Sequence, residues 1–227
     1  MQPYLFPYIG YFQLISAVDL FIVYDNIQYT KKGWINRNRF LSNGGDAVFS
    51  LPLKKDSDYR DVRERELAPD FSRAKMVNQL REAYRKAPHL EETFPLVESV
   101  LLDTETNLFV YLHRSIVKTC GHLGVHTPIV VSSTIEIDHS LQAQDKVLAL
   151  CQAVGASAYI NPAGGVDLYS KEDFAASGIA LSFLNSLPVE YPQFGGAFVP
   201  WLSIVDVLMF NGTAVTQSQL LGAYSLT

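Results

Sequence analysis

The sequence predicts a mixed α/β protein with a mostly parallel, doubly wound sheet. Between residues 128 and 184, apolar strand-like segments alternate with amphipathic helix-like segments, and only a few residues connect them. Such alternation is typical of parallel strands joined by right-handed crossovers. Near the N-terminus, a loop rich in proline and tyrosine leads into a short helix and then into an apolar strand at residues 20–24. Both observations favour a Rossmann-like arrangement.

The first half of the chain has further elements before the alternation begins. Residues 8–17 are predicted to form the short helix, and Asn43-Gly44 predicts a hairpin turn before a strand at 47–53. Apolar residues at helical spacing then predict three helices, at 71–86, 91–101 and 106–120. We therefore expect one α/β domain over residues 1–227, with a helical insertion around residues 71–121.

In the second half, the spacing assigns each element of the alternation. Strands are predicted at residues 128–131, 156–160 and 179–184, with helices between them at 141–154 and 168–176. A last helix is predicted to begin at Trp201 and to stop at Asn211-Gly212.

Composition excludes several classes of protein. Of the 227 residues, 48% are hydrophobic and 18% charged, which is globular composition, and the net charge of −5 argues against a nucleic-acid partner. No apolar run reaches the length of a membrane span, and no basic signal peptide is present, so a cytoplasmic protein is expected. Cys120 and Cys151 suit buried, inert thiols, and the histidines lack metal-ligand spacing, so no metal site is predicted.

The N-terminal loop is the first predicted wall of a ligand site. A loop that enters a helix directs free backbone amides at whatever lies in front of it, and glycine allows close approach. We expect ligand contacts from Gln2, Tyr4, Tyr8, Gly10 and Gln13, with core packing of the aromatic rings as the alternative. Asp25, at the end of the strand that follows, is predicted to be a general base or, alternatively, a turn residue.

A second wall is predicted where four cations gather in this acidic chain. Lysine and arginine bind phosphate oxygens, and the tryptophan and amides among them add stacking and directional hydrogen bonds. The predicted phosphate- or substrate-binding residues here are Gln28, Lys31, Lys32, Trp34, Asn36, Arg37 and Asn38, with Arg39 as the fourth cation. A solvated loop is the alternative.

A third wall is predicted just after the strand at residues 156–160. Ligands in parallel sheets bind beyond the carboxyl ends of the strands, and glycine amides can cradle a phosphate. The residues in this position are Asn161, Gly164, Gly165 and Tyr169. A simple turn is the alternative.

Several of these segments resemble the WbqC-like family of bacterial proteins. They are Gln2-Pro3-Tyr4, Pro7-Tyr8-Ile9-Gly10-Tyr11-Phe12-Gln13, Trp34-Ile35-Asn36-Arg37-Asn38 and the later segments 155–160 and 200–206. The resemblance implies a bacterial cytoplasmic protein of O-antigen or other amino-sugar biosynthesis, with acyl or aminoacyl transfer as its activity. It carries over no catalytic residue. Family members begin with a few apolar residues ahead of Gln-Pro-Tyr, so a first strand is expected there.

The segment Tyr8-Ile9-Gly10-Tyr11 also resembles the His-x-Gly-His segment of nucleotidylyltransferases, with both histidines changed to tyrosine. That resemblance places Tyr11 at a catalytic position. Tyrosine donates a hydrogen bond but carries no positive charge near pH 7, so the charge for a phosphate must come from elsewhere, for which the cations at residues 31–39 are the predicted source.

Three functions remain open from the sequence. The first is a transferase that forms an amide on an amino sugar, with a small-molecule substrate such as a nucleotide-linked amino sugar and a donor of nucleotide or coenzyme A type. The second is an ATP-dependent, adenylate-forming ligase or nucleotidylyltransferase relative. The third is a non-catalytic partner of a sugar-modifying enzyme.

Overall fold

The computed structural model describes residues 1–57 and 59–227, in which helices alternate with short strands. The helices are α1 (Ile9–Ser16), α2 (Arg73–Tyr84), α3 (Leu90–Leu101), α4 (Leu108–His122), α5 (Ala143–Ala153), α6 (Lys171–Ala176) and α7 (Ile204–Val215). The strands are β1 (Phe21–Val23), β2 (Arg37–Ser42), β3 (Gly45–Ser50), β4 (Ile129–Val131), β5 (Ala158–Pro162), β6 (Ala180–Ser186) and β7 (Tyr224–Leu226). In these ranges, no helix is both long and apolar enough to cross a membrane.

The strands form three small sheets in the part of the chain that the structure describes. β1 runs parallel with β4, and β2 and β3 form an antiparallel hairpin. β6 lies between β5, with which it is parallel, and β7, with which it is antiparallel. The mixed α/β class predicted from the sequence is confirmed.

The predicted doubly wound sheet differs from this arrangement. Both parallel pairs are present, but among residues 1–57 and 59–227 no strand joins β1 to β5. Alternation of strands and helices is a local pattern that indicates parallel pairing. The alternation does not determine whether the parallel pairs belong to one sheet, because that depends on whether a further strand lies between them.

The hairpin β2–β3 forms for a local reason. Asn43 and Gly44, at its tip, both have positive φ, 52° and 78°, as the tight turn with right-handed twist requires. Ser42 is paired with Gly45 and Arg37 with Ser50 along the ladder. The hairpin places Asn38 and Arg39, at the start of β2, next to the N-terminal loop.

Helices α2, α3 and α4 lie where the apolar spacing predicts them. The side chains at four-residue spacing in α2, Met76, Leu80 and Tyr84, are buried. The Tyr84 hydroxyl donates to Asp206 of α7 at 2.8 Å and accepts a hydrogen bond from the Leu41 backbone amide at 3.0 Å. This one buried hydroxyl therefore links the helical insertion to the hairpin and to α7.

The buried apolar side chains form two clusters. The larger extends from the N-terminal loop through the hairpin to α2–α4 and α7. The smaller surrounds Phe174 and contains Val147, Cys151, Ile179, Leu181 and Phe183. Tyr4 and Ile27 pack at the rim of the larger cluster, and Tyr159 and Tyr169 pack at the rim of the smaller. A cleft opens between these two rims.

Candidate functional site

The cleft between the two clusters has a volume of about 650 Å³, and aromatic rings line much of it. We call it the aromatic cleft. Its walls come from residues 1–8, 24–39, 143–147 and 159–169, and Trp201 lies at its edge. Segments that are far apart in the sequence thus share one concave surface, and the volume is typical of small-molecule sites.

The N-terminal loop forms the first wall through Gln2, Tyr4, Pro7 and Tyr8. The Tyr4 hydroxyl donates to Gln2 Oε1 at 3.0 Å. Burial raises the pKa of Tyr4 to about 12, with a further contribution from Tyr8, and burial also raises the pKa of Tyr8. Both phenols therefore stay protonated near neutral pH, and the Tyr8 hydroxyl can donate a hydrogen bond to a ligand, whereas the Tyr4 hydroxyl hydrogen is bonded to Gln2.

Asn38 holds this loop in position through hydrogen bonds to its backbone. Its buried amide group donates to the carbonyl oxygens of Leu5, at 3.0 Å, and Phe6, at 2.7 Å. Its Oδ1 accepts from the backbone amide of Arg39 at 2.8 Å. Phe6 has a positive φ of 41°, which L-residues rarely adopt, so these bonds fix a turn that would otherwise relax.

The second wall combines a cation with tryptophan rings. The Arg39 guanidinium lies 5.9 Å from the centre of the Trp34 ring and donates to the Trp201 carbonyl at 3.0 Å. It also pairs with Asp46 at 3.2 Å. Trp201 packs edge-on against Tyr8, with ring centres 6.1 Å apart. Arg39 is thus held at the cleft edge by one ion pair and by backbone carbonyls.

The carboxyl end of β5 and the turn after it form the third wall. The Tyr159 hydroxyl donates to Asn161 Oδ1 at 3.1 Å, and Asn161 Nδ2 donates to the Pro162 carbonyl at 3.2 Å. Gly165 lies directly against Asn161 Nδ2, so a side chain at this position would collide with it. Gly165 is therefore needed for the position of Asn161 in the cleft wall.

Helix α5 supplies a cation that the sequence analysis did not identify. Lys146 borders the cleft, with its Nζ 5.8 Å from the centre of the Tyr24 ring and 3.5 Å from the Asn26 carbonyl oxygen. It lies in the first turn of the helix that follows β4, near the carboxyl end of a parallel pair. Only this position beyond a parallel strand could have indicated from the sequence that Lys146 borders a ligand site, because the residue type is that of an ordinary helix lysine.

Of the predicted site residues, the structure brings nine together in the aromatic cleft. They are Gln2, Tyr4, Tyr8, Trp34, Asn38, Asn161, Gly164, Gly165 and Tyr169. Sequence reasoning missed Tyr24, Lys146, Tyr159 and Trp201 as cleft residues, and it considered Arg39 only as part of the basic stretch.

Three residues of helix α1 that were predicted for the site face the protein interior instead. Gly10 packs against Tyr8 and Ser186, and the buried Tyr11 hydroxyl donates to the Gln2 carbonyl at 3.0 Å. Gln13 donates to the carbonyls of Leu220, at 2.8 Å, and Ala223, at 3.1 Å. These groups fasten the N-terminal loop and the C-terminal segment to α1 and do not border the cleft.

Asp25 lies apart from the cleft lining as well. Its carboxylate is 5% exposed and accepts hydrogen bonds from Ser132 Oγ and the Ser133 amide, each at 3.1 Å, and from Ser133 Oγ at 2.6 Å. A guanidinium nitrogen of Arg63 lies 3.8 Å away. These bonds join the end of β1 to the turn after β4. The catalytic role proposed for Asp25 stays a prediction.

The other residues of the basic stretch are not in the cleft lining. Arg37 donates to the carbonyls of Gly33, at 2.8 Å, and Lys32, and so closes its own loop. Asn36 accepts from the Tyr29 hydroxyl and donates to the Leu51 carbonyl. Lys31, Lys32 and Gln28 are exposed on the surface. Their predicted phosphate-binding roles stay predictions.

The chemistry of the cleft follows from its lining. Among the residues that the structure describes, no carboxylate, histidine or cysteine borders it, and none of them form a group of histidine, cysteine, aspartate and glutamate fit to hold a metal ion. Burial raises the pKa of Cys120 to about 12 and that of Cys151 to about 11, so neither thiol is activated. The cleft therefore offers two cations, amides and phenol hydroxyls around apolar ring faces, which suits an anionic ligand with rings.

The fold and the cleft define a mixed α/β protein with a cation-bearing aromatic cleft between two apolar clusters. The chain belongs to the WbqC-like protein family, whose sequence profile matches residues 2–218. It is also similar to a Mycobacterium tuberculosis protein named "Uncharacterized protein Rv1507c". The two are 30% identical over 209 residues, which cover 90% of this chain and 89% of that protein. No solved structure matches the chain significantly.

Proposed function

We propose that this protein is an acyl- or aminoacyl-transferase that forms an amide on a nucleotide-linked amino sugar, and that the aromatic cleft holds this substrate. One observation carries the proposal. Two cations from different walls, Arg39 and Lys146, border a cleft of about 650 Å³ that is otherwise lined mainly by rings and amides. Cations bind the diphosphate, and aromatic faces stack on a base or on the apolar face of a sugar.

The proposed reaction uses an activated acyl donor of coenzyme A type. The amine nitrogen of the sugar attacks the thioester carbonyl, a carbon–nitrogen bond forms, and the carbon–sulfur bond breaks. The sulfur leaves with the electron pair and takes up the proton that the amine loses, which gives an amide and a free thiol. The protonated phenol of Tyr8 is suited to donate a hydrogen bond to the carbonyl oxygen as charge develops on it.

A second candidate function is binding without catalysis, as the partner of a sugar-modifying enzyme. The observation in its favour is that, within residues 1–57 and 59–227, the cleft lining contains no carboxylate, histidine or cysteine to act as a base or nucleophile. The ATP-dependent alternative rests on the segment Tyr8-Ile9-Gly10-Tyr11, of which Tyr8 borders the cleft and Gly10 and Tyr11 do not.

Calorimetry with UDP-glucosamine as the probe tests the binding step. Replacing Lys146 with methionine keeps the length of the side chain and removes its charge. We expect Lys146→Met to weaken binding roughly tenfold or more, since a charge-assisted hydrogen bond contributes about 1.5–3 kcal/mol. The matched variant Lys75→Met changes an exposed lysine of α2 and should bind like the unaltered protein.

The comparison with Lys32→Met separates the cleft from the exposed basic stretch. Binding that is weakened by Lys32→Met and unaffected by Lys146→Met would place the phosphate outside the cleft and overturn the proposal. Mass spectrometry of reactions with acyl-coenzyme A donors then separates the two functions. An amide product supports the transferase, whereas tight binding without any product supports the non-catalytic partner.

A further inference from the structure

Trp201 presents an exposed aromatic surface at the edge of the aromatic cleft. It borders the cleft, and 62% of its surface is accessible to solvent. Its ring contacts the Tyr8 ring edge-on, with the two ring planes at 72°. An exposed aromatic ring at the edge of a concave site has room for a flat group of a ligand.

The backbone of Trp201 is strained. Its φ of 60° lies in the left-handed region, which residues with a side chain rarely adopt. Burial of the side chain does not offset this strain, because most of the residue is exposed. Such strain persists only where surrounding contacts fix the backbone, and strained residues are concentrated at functional sites.

Residues 191–203, between β6 and α7, carry this tryptophan, and we call them the strap. The buried Gln193 amide donates to Asp206 at 2.7 Å and to the Val199 carbonyl at 3.3 Å. Its side-chain oxygen accepts from the Val199 backbone amide at 2.7 Å. The Tyr191 hydroxyl donates to the same oxygen of Asp206 at 2.8 Å. The first half of the strap is therefore closed on itself and fastened to α7.

The second half of the strap is fastened to the hairpin and to the N-terminal loop. The Arg39 guanidinium donates to the carbonyls of Pro200, at 3.3 Å, and Trp201, at 3.0 Å. The Ser203 backbone amide donates to the Arg39 carbonyl at 3.0 Å, and its hydroxyl donates to the Phe6 carbonyl at 2.9 Å. The backbone of Trp201 is thus held on both sides, so its side chain leaves the strap at a fixed place.

The two cations of the cleft are not equivalent. Arg39 pairs with Asp46 at 3.2 Å, so its charge is already balanced in part. Lys146 contacts a backbone carbonyl and a ring, and no carboxylate among residues 1–57 and 59–227 forms an ion pair with it. The charge of a bound phosphate is therefore balanced mainly by Lys146. The Arg39 end of the cleft, with Trp34 and Trp201 beside it, offers its rings to an uncharged flat group.

On the basis of the function proposed above, we infer that Trp201 stacks on the nucleobase of the substrate and selects a nucleotide-linked sugar over a simple sugar phosphate. A nucleobase is the flat, uncharged part of such a substrate, and it stacks on aromatic side chains through its face. The strap holds the ring at the cleft edge before the ligand arrives, so less freedom is lost when the base binds.

Calorimetry with UDP-glucosamine and glucosamine 1-phosphate tests this role, because the second ligand has the sugar and a phosphate but lacks the base. Trp201→Gly removes the ring, and glycine adopts a φ of 60° without strain. We expect this variant to bind UDP-glucosamine roughly tenfold more weakly and to bind glucosamine 1-phosphate as the unaltered protein does. Its melting temperature should stay close to that of the unaltered protein, because relief of strain offsets the greater freedom of glycine in the unfolded chain.

Phe194→Gly is the matched control. Phe194 is also an exposed aromatic residue of the strap with a positive φ, 48°, but it does not border the cleft. Its ring packs against Phe210, with ring centres 4.8 Å apart. Phe194→Gly should bind both ligands like the unaltered protein.

Gln193→Leu tests whether the strap positions the ring. This change removes the hydrogen bonds to Asp206 and Val199 and leaves Trp201 in place. We expect weaker binding of UDP-glucosamine with unchanged binding of glucosamine 1-phosphate, a selective loss that general destabilisation would not produce. An unchanged ratio of the two affinities would show that the strap does not position Trp201.

In Trp201→Gly, equal weakening for both ligands, or no weakening for either, would overturn the role of Trp201 in recognising the base. A different failure is the absence of any UDP-glucosamine binding to the unaltered protein. That result would overturn the proposed function and the role of Trp201 together, whereas normal binding that Trp201→Gly leaves unchanged would overturn the role of Trp201 alone.

Discussion

Two buried amide side chains, Asn38 and Gln13, hold the N-terminal region in place through hydrogen bonds. Asn38 supports the loop that carries Tyr4 and Tyr8 into the aromatic cleft. Gln13 ties α1 to the C-terminal segment and accepts a hydrogen bond from Ser186 Oγ at 2.7 Å. Both amides are satisfied by protein groups, and only the first supports residues that border the cleft.

These bonds predict different results for two similar substitutions. Asn38→Leu removes the side-chain partners of the Leu5 carbonyl and the Arg39 amide, while the Phe6 carbonyl keeps its hydrogen bond from Ser203 Oγ. Gln13→Leu removes one of two donors from each of the Leu220 and Ala223 carbonyls and takes the acceptor from the Ser186 hydroxyl. Each variant should lower the free energy of unfolding by roughly 1–3 kcal/mol in urea titrations. Only Asn38→Leu should also weaken UDP-glucosamine binding in calorimetry. Equal loss of binding in both variants would show that general destabilisation, and not the loop, controls the cleft.

Asn38 and Gln13 also show why single residues are hard to assign from the sequence. An amide or a phenol satisfies its hydrogen bonds equally well with a ligand or with a nearby carbonyl, so Gln13, Tyr11 and Asn38 look alike in the sequence. Arg37 likewise binds carbonyls of its own loop, where a ligand phosphate was expected. The residue type limits which hydrogen bonds a side chain can make, and tertiary packing determines whether its partner is a ligand or a protein group.

At the scale of elements, the turn after β5 is shaped by one glycine. A Cβ on Gly165 would collide with Asn161 Nδ2 and lie 3.5 Å from the Tyr169 ring, whereas a Cβ on Gly164 would meet nothing within 4 Å. Both glycines border the cleft. The two glycines are therefore a matched pair, in which position 165 requires glycine and position 164 has room for a side chain.

Gly165→Ala should displace Asn161 and weaken UDP-glucosamine binding by roughly 1 kcal/mol, which is about fivefold, because one wall contact is lost. Gly164→Ala should leave binding unchanged. Calorimetry on both variants checks the prediction. If Gly164→Ala impairs binding as much as Gly165→Ala does, the glycine amides contact the ligand and the position of Asn161 is not the reason.

The elements that border the cleft differ in how far the sequence could predict them. Residues 161–165 comprise the carboxyl end of β5 and the start of the turn after it, and such strand ends share one sheet edge in a parallel pair. Lys146 and Trp201 reach the same cleft through the packing of α5 and of the segment before α7. That packing depends on contacts between the two apolar clusters, which no local pattern contains.

For the whole molecule, the buried Met1 nitrogen predicts a pH dependence of stability. Its folded pKa of about 5 lies below its ordinary value of 8.0, so between these values the unfolded chain binds more protons than the folded chain. Stability should therefore rise with pH from about 5 to 8, by up to about 1.4 kcal/mol per pH unit. Desolvation also lowers the pKa values of His113 and His122, which adds to the rise in its acidic part.

Acetylation of the Met1 nitrogen replaces the titrating amine by an amide. We expect the acetylated protein to be more stable than the free amine near pH 6 and to lose the rise between pH 7 and 8, where the histidines contribute little. Urea unfolding at a series of pH values measures both effects. Parallel stability curves for the two forms would mean that the Met1 nitrogen keeps its ordinary pKa in the folded protein.

The most direct test of the central claim, that the aromatic cleft binds a nucleotide-linked amino sugar, uses the two tryptophans of the chain. Trp34 and Trp201 both border the cleft, so intrinsic fluorescence reports its occupancy without a label. Titration with UDP-glucosamine should give a saturable change in tryptophan emission, and Lys146→Met should shift the midpoint to roughly tenfold higher concentration. Saturable heat in calorimetry without any change in tryptophan emission would contradict the claim, because the ligand would then bind away from the cleft.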